Sequence, residues 1–299
     1  MIKAVIDIGT NSVRLYAALV EDGLQKRIQK ALRTTRLGEG IGRGNLIQQE
    51  PMARTVRAVG DFVQAARGLG AAETDIYIYA TAMVREAENR EEFCRQVYAR
   101  CGILPEVISG ETEAEIAYLG AAAEYPGAGV LDIGGGSTEV VAAPEGRLTA
   151  VSQKMGAVRL KELFPSLNGP IDILPVQAYL KDFAAGYEKT GVRRAARLIG
   201  VSGTPTTLAS LALGYRTYCP EAIQGAVLHK EEIRMQTECL AKMKQQERIQ
   251  AMGEFSDRAD IIVYGGCILL AVMEYYNFEE ITVSDRDSLE GFLEYKGRG

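Results

Sequence analysis

The sequence predicts an α/β protein of two related domains, and three observations carry that prediction. The stretch Val130-Leu-Asp-Ile-Gly-Gly-Gly-Ser-Thr-Glu-Val140 reads as strand, glycine loop, strand. The same pattern stands at the N-terminus as Val5-Ile-Asp-Ile-Gly-Thr-Asn-Ser-Val-Arg-Leu15, with Asp7 matching Asp132, Gly9 matching Gly134 and Ser12 matching Ser137. A repeat at this distance marks two related units. Around both copies, short apolar strands alternate with stretches of helical periodicity, the order of an α/β sheet protein.

The second loop has the composition of a phosphate cradle. Three consecutive glycines remove the side chains that would hold an anion off. Backbone N–H groups from Gly134 to Thr138 can then point at phosphate oxygens, with the Ser137 and Thr138 hydroxyls as further donors. Asp132 and Glu139 beside such a cradle would repel a polyphosphate by themselves. A divalent cation, Mg²⁺ or Mn²⁺, held by them or their waters would bridge carboxylate and phosphate. Seven residues after the aspartate, the first copy has Arg14 where the second has Glu139, so one hairpin offers a cation and the other an anion. A single glycine turn between apolar strands is more often a plain hairpin; two with the same Asp–Ser offset favour paired phosphate loops.

Bulk numbers set the frame. A chain of 299 residues can bury two cores, and 24% charged residues with no biased tract argue against disorder. A net charge of −5 argues against a protein that coats nucleic acid or an anionic membrane, although a local basic cleft could bind a polyanion. The five cysteines form no CxxC pair and no zinc spacing, and read as core thiols of a reducing cytoplasm. Asp7 inside the first apolar run excludes a signal peptide, and Ile261 to Met273 is too short to span a bilayer. His229 is the one histidine and reads as structural.

In chain order, residues 2 to 8 and 12 to 20 form the first hairpin, and a third strand carrying Lys26, Lys30 and Arg36 runs on through Leu37. Gly38 to Gly44 reads either as a surface loop or as another anion loop. Met52, Val56, Val59, Val63 and Ala66 mark a helix opened near Pro51 and closed by Gly68 and Gly70. Ile76 to Ala80 is a strand leading to Arg85, which either grips a phosphate or makes a surface ion pair. Asn89 N-caps a helix ending at Gly102, and Glu106 to Ile108 is a strand. Ser109 caps a helix to about Ala123 whose first turns hold Glu111, Glu113 and Glu115. These glutamates serve the helix dipole or, in one case, a general base.

Tyr125 to Gly129 reads as the linker, giving domains 1–125 and 126–299. Strands continue to Lys154, Leu174 to Lys189 is one helix, and Ala196 to Ser202 is a strand. Gly203-Thr-Pro-Thr-Thr207 opens a further helix, so that Gly203 and Thr204 form a third candidate anion site. Glu231 to Met252 reads as one exposed helix and Arg258 to Tyr276 as a buried one. Ile281 to Val283 is a strand and Ser288 to Tyr295 a closing helix. That apolar closing region supports either a homodimer contact or packing back across the first domain, and periodicity leaves the two open.

These residues together resemble the exopolyphosphatase/guanosine pentaphosphate phosphatase family, a branch of the actin-like ATPase and sugar-kinase superfamily. The resemblance rests on Asp7-Ile-Gly-Thr-Asn-Ser12 with Arg14, Arg36-Leu-Gly-Glu-Gly40, Ala80-Thr-Ala with Arg85 and Asn89, Ile108-Ser-Gly with Glu113-Ala114, Asp132 through Glu139, Gly203-Thr204, and Arg258 through Val263. It implies two ribonuclease H-like domains with an interdomain cleft, and a catalytic base at Glu113. It assigns Asp132 and Glu139 to the metal and catalytic-water side with Asp7 as a further metal residue. Gly9, Thr10, Asn11, Ser12, Arg14, Arg85 and Gly134, Gly135, Gly136, Ser137 and Thr138 fall to substrate. The implied activity is hydrolysis of terminal phosphate from inorganic polyphosphate. Hydrolysis of guanosine pentaphosphate is the alternative, and a non-catalytic polyphosphate or nucleotide sensor is a third reading. Where family members resemble Val-Ser-Asp-x-Gly-Leu-Arg-Glu-Gly, this chain has Val283-Ser-Asp-Arg-Asp-Ser-Leu-Glu-Gly291, without that glycine and arginine. The helical C-terminal domains of longer members are also absent from the sequence.

Overall fold

In the computed structural model, which describes residues 1–40, 44–122, 124–144 and 146–298, the first apolar runs pair as an antiparallel meander of β1 (Ile2–Ile8), β2 (Ser12–Glu21) and β3 (Leu24–Thr34). β3 stops short of Leu37 because the Thr35 and Arg36 N–H groups both turn to the Asn11 carbonyl, with Arg36 at φ +53°. The expected loop from Gly38 to Gly44 lies partly outside the described residues. Gly38 itself packs on Thr10, whose carbonyl accepts its N–H at 2.8 Å.

Helix α1 (Gln49–Gly68) buries Met52, Val59, Val63 and Ala66 of the stripe its spacing predicts and leaves Val56 half-buried. β4 (Ile76–Ala80) lies parallel to β1, followed by α2 (Ala82–Glu86), α3 (Arg90–Cys101), β5 (Glu106–Val107) and α4 (Gly110–Ala122). The sheet order is β3-β2-β1-β4-β5. Arg85 thus stands just beyond β4, on a short helix. Asn89 stands at the N-cap position of α3, but its amide binds both backbone groups of Ile47 (3.0 and 2.9 Å).

The second meander is β6 (Gly129–Ile133), β7 (Thr138–Ala142) and β8 (Thr149–Gln153). After α5 (Ala157–Leu163) and α6 (Ile173–Leu180), β9 (Leu198–Val201) pairs parallel with β6. Then follow α7 (Gly203–Ala212), α8 (Pro220–Ile223), β10 (Val227–His229), α9 (Lys230–Lys242), α10 (Gln245–Met252), α11 (Ile262–Tyr276), β11 (Glu280–Val283) and α12 (Ser288–Gly297). This sheet runs β10-β11-β9-β6-β7-β8. Read from β8, its first five strands repeat the order of the first sheet, so the duplicated motif is the visible part of a duplicated fold.

Two expected long helices are broken. The one spanning Leu174 to Lys189 becomes α6 plus a 3₁₀ segment, Phe183–Thr190. Close approach decides it: a Cβ on Gly186 would sit 2.4 Å from the Gln153 amide, and Tyr187 reaches the Thr138 carbonyl at 2.9 Å. The one spanning Glu231 to Met252 divides at Met243–Lys244, where the Lys244 N–H donates to the Glu247 carboxylate at 2.7 Å and starts α10 afresh. His229 begins α9 in the same way, its backbone N–H 3.0 Å from the Glu232 carboxylate.

The chain divides into unit 1, Met1–Gly120 with Ser288–Gly299, and unit 2, Ala121–Asp287. Within unit 1, α12 places Leu289, Phe292 and Leu293 among Val5, Tyr16, Tyr79 and Ile116. Leu289, which stands where the family pattern has arginine, is fully buried there. Gly291 permits the crossing, since a Cβ would stand 1.7 Å from the Ile116 carbonyl oxygen. Among the described residues no single helix is long and apolar enough to cross a membrane.

Candidate functional site

Both glycine loops close in the same way. Gly9 N–H donates to Ser12 O and Gly134 N–H to Ser137 O, each at 3.0 Å. These two N–H groups, expected to face an anion, are therefore spent inside their hairpins. Each closure sets the aspartate level with the residue seven positions on: Asp7 opposite Arg14, Asp132 opposite Glu139.

In unit 2 the loop carbonyls are pinned by α5. Ala157 N–H donates to Gly134 O at 3.0 Å, Val158 N–H to Gly135 O at 2.9 Å, and Arg159 Nε to Gly136 O at 2.7 Å. Across a trans peptide the C=O and the next N–H point opposite ways, so the N–H groups of Gly135, Gly136 and Ser137 turn away from α5 together. Those three donors therefore lie on the face of the loop opposite α5. A side chain at Gly156 would meet the Gly135 carbonyl carbon at 2.4 Å, so the helix sits directly on the loop backbone. Thr138 corrects the expectation: it is fully buried, and its hydroxyl donates to Met155 O at 2.6 Å. Neither α5 nor Arg159 carried a motif that marked it in the sequence.

Asp132 and Glu139 are 6% and 1% exposed, and Ser152 Oγ donates to Glu139 Oε1 at 2.6 Å. Like charges opposite one another in a ladder repel, more so out of water. A pair of hard carboxylate oxygens flanking a phosphate cradle suits a Mg²⁺ or Mn²⁺ ion, whose remaining positions are commonly filled by water and phosphate. Burial first, and the Glu139 charge second, hold the Tyr187 phenol well above its usual range.

In unit 1 the corresponding carboxylate has a cation built in. Arg14 Nε and Nη2 donate to Asp7 Oδ2 at 2.8 and 2.6 Å. Asp7, which the resemblance assigns to the metal, thus has the Arg14 guanidinium directly against it. Thr10 and Asn11 carbonyls are tied to Gly38, Thr35 and Arg36, which turns the Asn11 N–H away from that strap.

A second cluster of unit 1 joins the ends of β4 and β5. Arg85 Nη1 donates to Ile108 O at 3.1 Å and to Glu113 Oε2 at 3.0 Å. Ser109 Oγ accepts the Thr112 N–H at 3.1 Å, capping α4 and fixing its first turns. Spacing left Glu111, Glu113 and Glu115 equivalent; the fold brings Glu113 to Arg85 and leaves Glu111 exposed. Arg85 also lines a cavity of about 620 Å³ with Arg90, Arg95, Leu104 and Ser109.

At the third candidate, Gly203 opens α7 beneath the Arg258 guanidinium, whose Nη1 would lie 1.8 Å from an added Cβ. Thr204 is 4% exposed, with its hydroxyl directed at Gly265 of α11, so its side chain packs in the core and only its backbone suits a ligand. Ser202, just before, holds φ +66° and ψ −166°, a region that costs a non-glycine residue about 1–3 kcal/mol.

The chain is similar to Exopolyphosphatase 2 of Mycobacterium tuberculosis, at 30% identity over 96% of both chains. It is also similar to a bifunctional 3-dehydroquinate synthase/phosphatase of Fusobacterium nucleatum, at 29% identity over 98% of this chain but 46% of that longer protein. The crystal structure of the Aquifex aeolicus Ppx/GppA family member superposes with a TM-score of 0.80 at 29% identity, covering 100% of this chain and 98% of that one. With the model of the Ppx/GppA phosphatase family matching residues 18–296, the chain belongs to that family.

Proposed function

We propose that this protein is an exopolyphosphatase that removes the terminal phosphate of inorganic polyphosphate by attack of water. The observation that carries the reading is the Arg85–Glu113 contact. Nη1 alone makes both of the contacts of the Arg85 side chain among the described residues, which leaves the other edge of the fork for a phosphate oxygen beside the carboxylate. Glu113 takes a proton from water as its oxygen attacks the terminal phosphorus, and the bridging P–O bond breaks toward the shortened chain. Within unit 1 Arg14 offers charge to a phosphate oxygen; within unit 2 the Gly135, Gly136 and Ser137 N–H groups offer donors to one. Asp132 and Glu139 would hold Mg²⁺ or Mn²⁺, which when bound supplies positive charge against that developing on the phosphates.

The similarity to Exopolyphosphatase 2 over nearly the whole of both chains supports polyphosphate as substrate. The test is phosphate release from long-chain polyphosphate and from guanosine pentaphosphate, side by side, with Mg²⁺ or EDTA. Metal-dependent release favouring polyphosphate is expected. Preference for guanosine pentaphosphate would move the substrate to the nucleotide, and binding without release from either would make the protein a sensor.

A further inference from the structure

The cavity of about 620 Å³ beside Arg85 lies wholly within unit 1, and the Glu113 contact does not account for it. Its volume is in the range that takes a small-molecule ligand. The wall comes from three consecutive parts of the chain: Arg85 on α2, Arg90 and Arg95 on α3, and residues between Leu104 and Ser109, the run that carries β5 into α4. Three guanidinium groups thus share the wall with one carboxylate among the described residues, that of Glu91.

Arg90 is the informative member. It is the first residue of α3, where a cation sits against the positive end of the helix dipole. Asn89, at the N-cap position, gives its side chain to Ile47 and not to the helix. Glu92 takes Arg95 at 2.6 Å, and the Arg90 guanidinium has no partner among the described residues. Neither helix stability nor ion pairing explains a cation at this place, whereas an anion shared with Arg85 does.

Arg85 joins the cavity to the reaction. Its Nη1 spans Ile108 O and Glu113 while the side chain lines the cavity, and Ile108 belongs to the same wall. Apolar surface from Leu104, Val107 and Ile108 lowers the polarity around the guanidinium groups, which strengthens their pull on an anion. A lone phosphate needs one such group. A chain with a negative charge on every phosphate meets several in turn.

We propose that the cavity lined by Arg85, Arg90 and Arg95 is a subsite for the phosphates that follow the terminal one, with Arg90 as their principal contact. This rests on the reading of Arg85 as the contact of the terminal phosphate.

The experiment compares wild type with Arg90→Gln, Arg90→Glu and Arg90→Lys. Binding of long-chain polyphosphate and of pyrophosphate is titrated in the Glu113→Gln background, which suppresses turnover; KM on long-chain polyphosphate and the melting midpoint are measured with Glu113 intact. Arg90→Gln is expected to weaken long-chain binding and raise KM about tenfold, the scale of one hydrogen bond to a charged group, with pyrophosphate binding and kcat nearly unchanged. Arg90→Glu is expected to lose more, and Arg90→Lys to recover most of the loss. The midpoint of Arg90→Gln is expected to stay level or rise, because a cation leaves the N-terminus of α3. Long-chain binding that survives Arg90→Glu overturns the proposal. So does an equal loss for pyrophosphate, which would put Arg90 at the terminal phosphate, or a loss that tracks a lowered midpoint, which would make Arg90 structural. If wild type releases no phosphate from polyphosphate while long-chain binding still falls in Arg90→Gln, the subsite stands and the activity reading falls.

Discussion

Glu139 faces Asp132 across the β6–β7 ladder, both almost closed to solvent, at the register where unit 1 opposes Arg14 to Asp7. One duplicated hairpin therefore sets a guanidinium against its aspartate, and the other sets a second carboxylate there. Glu139→Gln removes one of the two facing carboxylates, and with it a ligand of the proposed cation. In EDTA the variant is expected to be as stable as wild type or up to about 1 kcal/mol more so, the range for like charges in a ladder. Mg²⁺ is expected to raise the melting midpoint of wild type and to leave that of the variant unchanged. A variant that still gains the full Mg²⁺ shift would remove Glu139 from the metal.

Glu113→Gln keeps the shape and the hydrogen-bond reach toward Arg85 while losing the capacity to take a proton. Turnover is expected to fall by roughly two to four orders of magnitude with polyphosphate binding retained. Initial rates and a binding titration on the same preparation check it. Near-normal turnover would mean another group activates the water.

Arg85→Lys separates charge from shape. An ammonium can still reach Glu113, but it has no planar fork to share between carboxylate, carbonyl and phosphate. KM for polyphosphate is expected to rise about tenfold, the scale of one lost charged hydrogen bond. An unaltered KM would return Arg85 to the role of a structural ion pair.

Tyr187 sets an alkaline limit. Its phenol is fully buried, donates to Thr138 O, and is held protonated by burial and then by the Glu139 charge. Because the folded state holds this proton more tightly than the unfolded chain, the stability it contributes is complete below the ordinary tyrosine value of about 10. It declines as pH rises beyond that value. Tyr187→Phe is expected to cost about 1 kcal/mol at neutral pH and to flatten the stability profile above pH about 10. Urea unfolding from pH 7 to 11 reads both; an unchanged alkaline slope would contradict the assignment. Burial likewise pushes the Cys267 thiol up to about 12, where it resists thiol reagents in the folded state.

Gly291→Ala tests the seat of α12. A methyl group 1.7 Å from the Ile116 carbonyl must displace backbone, and a cost of about 3 kcal/mol, the upper end of overpacking, is expected in urea unfolding. A cost below about 1 kcal/mol would mean that α12 shifts freely on the sheet.

The parts of the protein legible in its sequence are those that short chain segments decide. An antiparallel hairpin with a tight loop sets residue i opposite residue i+7. Asp7 was therefore bound to meet Arg14, and Asp132 to meet Glu139, before any tertiary contact formed. The helix stripe of α1 and the Ser109 cap follow from local periodicity and capping in the same way. The tertiary structure decided what long-range contacts decide: that Arg85 selects Glu113 from three glutamates, that α5 turns the Gly135, Gly136 and Ser137 N–H groups one way, and that Thr138 and Thr204 spend their hydroxyls inside. It also brought Ser288 to Arg14 from 274 positions away. No spacing in the chain encodes such meetings, because they depend on which faces the packed sheets and helices bury against one another.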